Sequence, residues 1–222
     1  IGFKGDNGPA VNATLFRPLG VEYDKEEHVL YVADGLNHRV RMINLTTGII
    51  STIAGDGIDR NVFVNGYALN ISLSTPRNIK LYTGSASMDK LLFIACSYKI
   101  VYLNLRTREI FTKITASHVP SMPDAIAITP YGLAIHRDCL YYSDLARHTI
   151  NVYNFTSATV ETIMGIPFRF GNIGDGGPAT RATLYKPTYL DIDSEAGILY
   201  LSDSLNNVVR AINLETNIVT RV

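Results

Sequence analysis

Three aspartates, Asp34, Asp144 and Asp203, each close an apolar run (VLYVAD, CLYYSD, GILYLSD). Carboxylates recurring at one position are what general acid–base or metal-assisted chemistry would draw on. His38 and His148 each follow their aspartate by four residues, and Asn207 holds that place after Asp203. Two Gly-rich loops, Gly5-Asp6-Asn7-Gly8 and Gly174-Asp175-Gly176-Gly177, offer backbone amides of the kind that cradle phosphate. Each set also has a plain structural reading. A phosphate loop opens a full helix, whereas Pro-Ala and then a β-type run follow here, so Gly supplies positive φ and Asp caps the turn. A carboxylate just before a hairpin turn is expected to accept hydrogen bonds from that turn's own amides. His28, His118 and His136 fall in unrelated places, and neither HxH nor CxxC spacing nor a Ser elbow occurs.

These residues recur because the chain repeats. One copy begins GDNGPAVNATLFRPLGVEYD and another GDGGPATRATLYKPTYLDID, with two worn copies between them. Pro18, Pro76, Pro130 and Pro187 open the four core patterns, and Asp34, Cys96, Asp144 and Asp203 close the second strands. Self-similarity at this period means stacked or radially arranged units, none able to bury its apolar face alone. Alternation and turn chemistry in the first unit predict strands at 19–24, 29–34, 38–45 and 49–54. Helical periodicity is confined to one turn within Pro178 to Leu184. The expected fold is all-β, a β-propeller of four-stranded antiparallel blades with the first strand innermost. The four blades fall near 5–57, 58–115, 116–165 and 166–222. A β-solenoid is the alternative, though its coils are shorter and lack hairpins.

GDGGPAT, the proline before the first strand, LYVADGLNHRVRMINL and TGIISTIAG together resemble NHL repeats. The resemblance covers essentially the whole chain. It is weakest in the second unit, where Cys96 stands for the aspartate and two residues are missing before Asn104. It implies NHL-type blades, usually six to a propeller, so four blades imply missing blades or neighbouring domains of a larger protein. A closed four-bladed ring is the alternative. The apolar runs of the first and last units suit burial on both faces, and this chain alone is expected to expose apolar surface. Propeller lactonases and amidating lyases, similar in outline, place metal ligands at the starts of first strands. The positions matched to them here are Arg17, Arg77, Tyr131 and Lys186, none a carboxylate or histidine. No catalytic residue, cofactor or metal is therefore expected.

Composition narrows the function further. The 222 residues carry 20 basic and 20 acidic side chains and 46% hydrophobic residues. A neutral chain with scattered cations does not suit a phosphate-backbone footprint. Cys96 and Cys139 lie in different units at opposite ends of their blades, and free buried thiols are expected. No apolar run is long enough for membrane insertion. Asn12, Asn44, Asn70 and Asn154 each begin an N-glycosylation tripeptide, with Asn44 and Asn154 at one repeat position. A secreted or cell-surface glycoprotein is the reading these favour, with a cytoplasmic one as the alternative.

What remains is a surface. The blade-to-blade linkers and the turns between second and third strands are expected on one face, carrying Asn37, Phe63, Tyr67, Tyr98, Arg147, Phe168, Arg169, Phe170, Arg181 and Tyr185. Tyr and Arg are interface hot-spot types. The bland counterpart is that the aromatic rings tuck between blades and the arginines are merely solvated. The expected function is a non-enzymatic recognition or scaffold module binding a protein, or a carbohydrate. The alternatives are an RNA-binding NHL propeller of a cytoplasmic regulator and a propeller hydrolase or lyase.

Overall fold

The computed structural model describes residues 2–61, 65–84, 89–118 and 127–222; Phe63 lies outside them. The chain forms two compact units, Ile1–Ile114 and Thr115–Val222. Unit one holds two antiparallel sheets. The first comprises β1 (Gly8–Pro9), β2 (Pro18–Asp24), β3 (Val29–Asp34), β4 (Arg39–Asn44) and β5 (Ile49–Ala54), in the order β1-β5-β4-β3-β2. The second comprises β6 (Gly66–Tyr67), β7 (Asn78–Thr83), β8 (Lys90–Ala95), β9 (Ile100–Asn104) and β10 (Glu109–Ile114), in the order β6-β10-β9-β8-β7.

Unit two holds two four-stranded meanders. One is β11 (Pro130–His136), β12 (Cys139–Asp144), β13 (Thr149–Asn154) and β14 (Val160–Met164). The other is β15 (Pro187–Asp193), β16 (Ile198–Asp203), β17 (Val208–Asn213) and β18 (Ile218–Arg221). The four sheets are propeller blades, and the class is all-β as the repeats predicted. Helical structure among the described residues is limited to three-residue 3-10 turns, one of them at Ala179–Arg181. No helix among them is long and apolar enough to cross a membrane.

Turn chemistry fixes the strand lengths. Asn44, Asn104, Asn154 and Asn213 each end a third strand, and each Oδ1 accepts the amides two and three residues on, at 2.8–3.0 Å. The shared role accounts for the asparagine at all four positions, although only Asn44 and Asn154 begin a glycosylation tripeptide.

Neighbouring blades meet through their first strands, β2 on β7 and β11 on β15. A Cβ at Gly132 would stand 2.2 Å from the Thr188 carbonyl oxygen, so only glycine lets these two strands approach. Ser143 fills the same joint, its hydroxyl accepting the Gly132 amide at 2.8 Å and donating to the Thr188 carbonyl. The apolar faces then close on each other. Val40, Leu92, Ile94 and Leu103 are buried in unit one, and Ile150, Leu184, Leu199 and Ile212 in unit two.

Candidate recognition face

The recurring acids turn out to be fasteners. Asp144 accepts the amides of Ala146 and Arg147 in its own hairpin, at 3.1 and 3.3 Å, and that of Thr129 at 3.1 Å. Asp34 and Asp203 depart from the expectation of hairpin amides. Each takes a single backbone amide from the chain entering the first strand, Phe16 at 2.7 Å and Tyr185 at 2.7 Å. The second oxygen of each accepts the side-chain amide of Asn37 or Asn206 at 2.8 Å. A 3-10 turn after the aspartate brings that asparagine back onto the carboxylate. Burial holds the carboxyls of Asp144 and Asp203 above the usual range, against the hydrogen bonds that pull them down.

The Gly-rich loops are clamped from behind. Arg41 Nε and Nη2 donate to one oxygen of Asp6 at 3.1 and 2.7 Å, and Arg210 does the same to Asp175 at 2.9 and 2.6 Å. Both guanidinium groups are fully buried, and they also face Asp34 and Asp203 at 3.4 and 3.6 Å. The aspartate of each loop therefore reaches an arginine on a third strand, instead of capping its own turn. The loop is also too tight for a side chain: a Cβ at Gly174 would lie 2.6 Å from Ala182 Cα.

The two histidines pin one blade to the next. His38 and His148 adopt left-handed backbone, with φ of 53° and 59°. Their Nδ1 atoms accept the amides of Thr75 and Lys186, both at 3.2 Å. Arg17, Thr75 and Lys186 share positive φ directly before a proline. The counterpart in the second blade is thus Thr75, not Arg77, whose amide pairs with Ala95 in the sheet. Tyr131 lies inside β11, because Thr129 takes the role of Phe16 and Tyr185 immediately before Pro130. Among the described residues no group of three His, Cys, Asp or Glu side chains could hold a metal ion. Both cysteines are free thiols.

Several expected surface residues are elsewhere. Asn37 is 8% exposed and Arg147 1%, because the strand-two-to-three turn folds onto the carboxylate before it. Tyr67 is exposed but at the other end of its blade. It pairs with Glu109 in β6, and Ala68 N donates to Arg108 O in the turn between β9 and β10. The linker is not confined to one face, since it runs down the outermost strand and returns. Arg181 lies on that outer path, in a 3-10 turn whose first amide, Ala179 N, bonds to Asn217 O.

What the strand-two-to-three end does present is aromatic. In unit one Tyr98 is 41% exposed there. In unit two Phe170 stacks on Tyr185 (4.9 Å, 28°), and His148 meets both edge-on at 6.0 and 5.5 Å. Phe170 is 63% exposed, and Phe168 and Arg169 stand open beside it. The loop is anchored by the Phe168 amide on the Arg147 carbonyl and the Arg169 amide on that of Ile166, both at 2.9 Å.

No protein-family profile matches the chain. It is 43% identical over 60 residues to NHL repeat-containing protein 2 of Homo sapiens, covering 27% of this chain and 8% of that protein. With the Bos taurus form the identity is 28% over 110 residues, covering 49% and 14%. Teneurin-1 of Gallus gallus is 28% identical over 223 residues, covering 89% of this chain and 8% of that protein. Among solved structures, a protein of unknown function from Bacteroides thetaiotaomicron superposes with TM-score 0.64 at 16% identity, over 88% of this chain and 47% of that one. Streptogramin B lyase follows with TM-score 0.58 at 13% identity, over 98% and 55%. At those identities the likeness establishes the fold alone. The chain therefore spans 8–14% of these curated relatives and about half of these solved structures. Blades and sequence matches together define a β-propeller of NHL-type repeats.

Proposed function

We propose that this propeller segment is a non-enzymatic recognition module that binds a protein partner through Phe168, Arg169, Phe170 and Tyr185. The observation that carries this reading is Phe170, an exposed ring stacked on Tyr185 beside an exposed arginine, on a loop fixed by backbone hydrogen bonds. Rigid aromatic and arginine groups are the side chains on which interface energy concentrates. Asp34, Asp144, Asp203, His38 and His148, the groups a hydrolase or lyase would use, instead hold backbone amides. We place the module outside the cell, with Asn12 and Asn70, both exposed, as glycan acceptors.

The test is retention on the immobilised protein of proteins from an extracellular fraction, alongside a single-stranded RNA oligonucleotide. One protein is expected to be retained, and lost at least tenfold from an Arg169→Glu/Phe170→Ala variant of unchanged thermal midpoint. Retention indifferent to that variant, or RNA binding that falls steeply with salt, would overturn the reading.

A further inference from the structure

We propose that unit one carries, at the end opposite the strand-two-to-three turns, a site for a small organic acid whose carboxylate is held by Tyr31 and Arg108. Two hollows of about 430 and 160 Å³ lie there between the first and second blades, and both are lined by Met42 and Arg108. The larger is of the size that takes a small molecule, on the order of 300–1,000 Å³. Val29, Met42 and Leu105 give it apolar wall.

Three polar residues of its lining, Tyr31, Asn44 and Arg108, keep donors that no described residue accepts from. Tyr31 is only 3% exposed, yet its hydroxyl meets no acceptor among the described residues. Burial, and then the charge of Asp24, push its ionisation up to about 12, so it remains a donor at neutral pH. Asn44 uses its carbonyl oxygen to cap its turn, which leaves its amide hydrogens for the cavity it lines.

Arg108 is the stronger sign. Its φ is +62°, at the turn position where two other blades place Gly48 and Asn217, residues that tolerate left-handed backbone; Ala158 is the fourth. An arginine held there is strained, and strained residues cluster at ligand sites. Arg108 is exposed at the cavity mouth, and its guanidinium has no hydrogen bond or ion pair with the described residues. The neighbouring cations are engaged: Lys90 with Asp24, Glu26 and Glu27 at 2.7, 3.1 and 3.5 Å, and Arg106 with Asp89 at 2.5 Å. Glu27 on the cavity wall is thereby partnered, and Arg108 is the cation left to meet an anion. Donors beside apolar wall suit a carboxylate on an apolar body.

Octanoate is the probe, titrated by calorimetry against the intact protein, with octylamine as the charge control. Octanoate is expected to bind and octylamine not to. Tyr31→Phe keeps the ring, and Arg108→Gly relieves the positive φ, so both variants should fold, the second with an unchanged or raised thermal midpoint. Each is expected to weaken octanoate at least tenfold. No octanoate binding by the wild type, equal binding by either variant, or octylamine binding as tightly as octanoate would overturn the proposal.

Discussion

Arg210 grips Asp175 through two nitrogens on one oxygen, at 2.9 and 2.6 Å, across 35 residues of chain, and Arg41 grips Asp6 across the same 35. Each arginine also faces the aspartate that ends the second strand. In the second blade both partners change together: Cys96 stands where Asp34 does, and Val101 where Arg41 does, opposite Ile94 as Arg41 is opposite Val32. A buried charge without its partner is strongly unfavourable, whereas an apolar pair of similar shape is tolerated. Arg41→Val alone leaves Asp34 buried and is expected to lower stability by about 3 kcal/mol. Adding Asp34→Cys should recover about 1–2 kcal/mol of the summed loss. Urea denaturation of the two single variants and the double checks this; additive losses would contradict the coupling.

His148 makes the fold sensitive to mild acid. Its Nδ1 accepts the Lys186 amide, which a protonated ring cannot do. Burial, and then the Lys186 charge, lower its pKa below the ordinary 6.5. With the folded value below the unfolded one, the contribution is present above pH 6.5 and fades as pH falls through 6.5 toward the folded value. His148→Asn, which copies Asn207 of the last blade, should flatten the stability profile between pH 7 and 5. A profile with the same slope in wild type and variant would show that the titrating group is another one.

Burial pushes the Cys96 thiol up to about 12, which leaves almost no thiolate at pH 8. Ellman's reagent at that pH is expected to leave Cys96 unmodified in the folded protein and to modify it in guanidinium. Modification of Cys96 in the native state, read by mass spectrometry, would mean that the core around it opens readily.

The strands were legible because alternation and turn residues are local. Those predicted at 19–24, 29–34, 38–45 and 49–54 are found at 18–24, 29–34, 39–44 and 49–54. The linkers were not, because Gly8–Pro9 and Gly66–Tyr67 become strands only by pairing with an outermost strand already in place. That pairing carries Tyr67 away from the face assigned to it. Asn37 and Arg147 read as surface residues because they follow an Asp in a polar turn, yet the carboxylate draws both inward. The clamps had a readable trace in the identical 35-residue spacing of Asp6 to Arg41 and Asp175 to Arg210. Periodic patterning does not reveal it, because the pair joins the loop that opens a repeat to the third strand of that same repeat.

The recognition face is tested most directly by a photoreactive phenylalanine analogue placed at Phe170 or, for comparison, at Tyr23, an exposed ring at the far end of a first strand. Irradiation in the presence of the extracellular protein fraction is expected to yield one discrete crosslinked protein from position 170 and none from position 23. Equal labelling from both positions, or none from 170, would contradict a partner seated on Phe170.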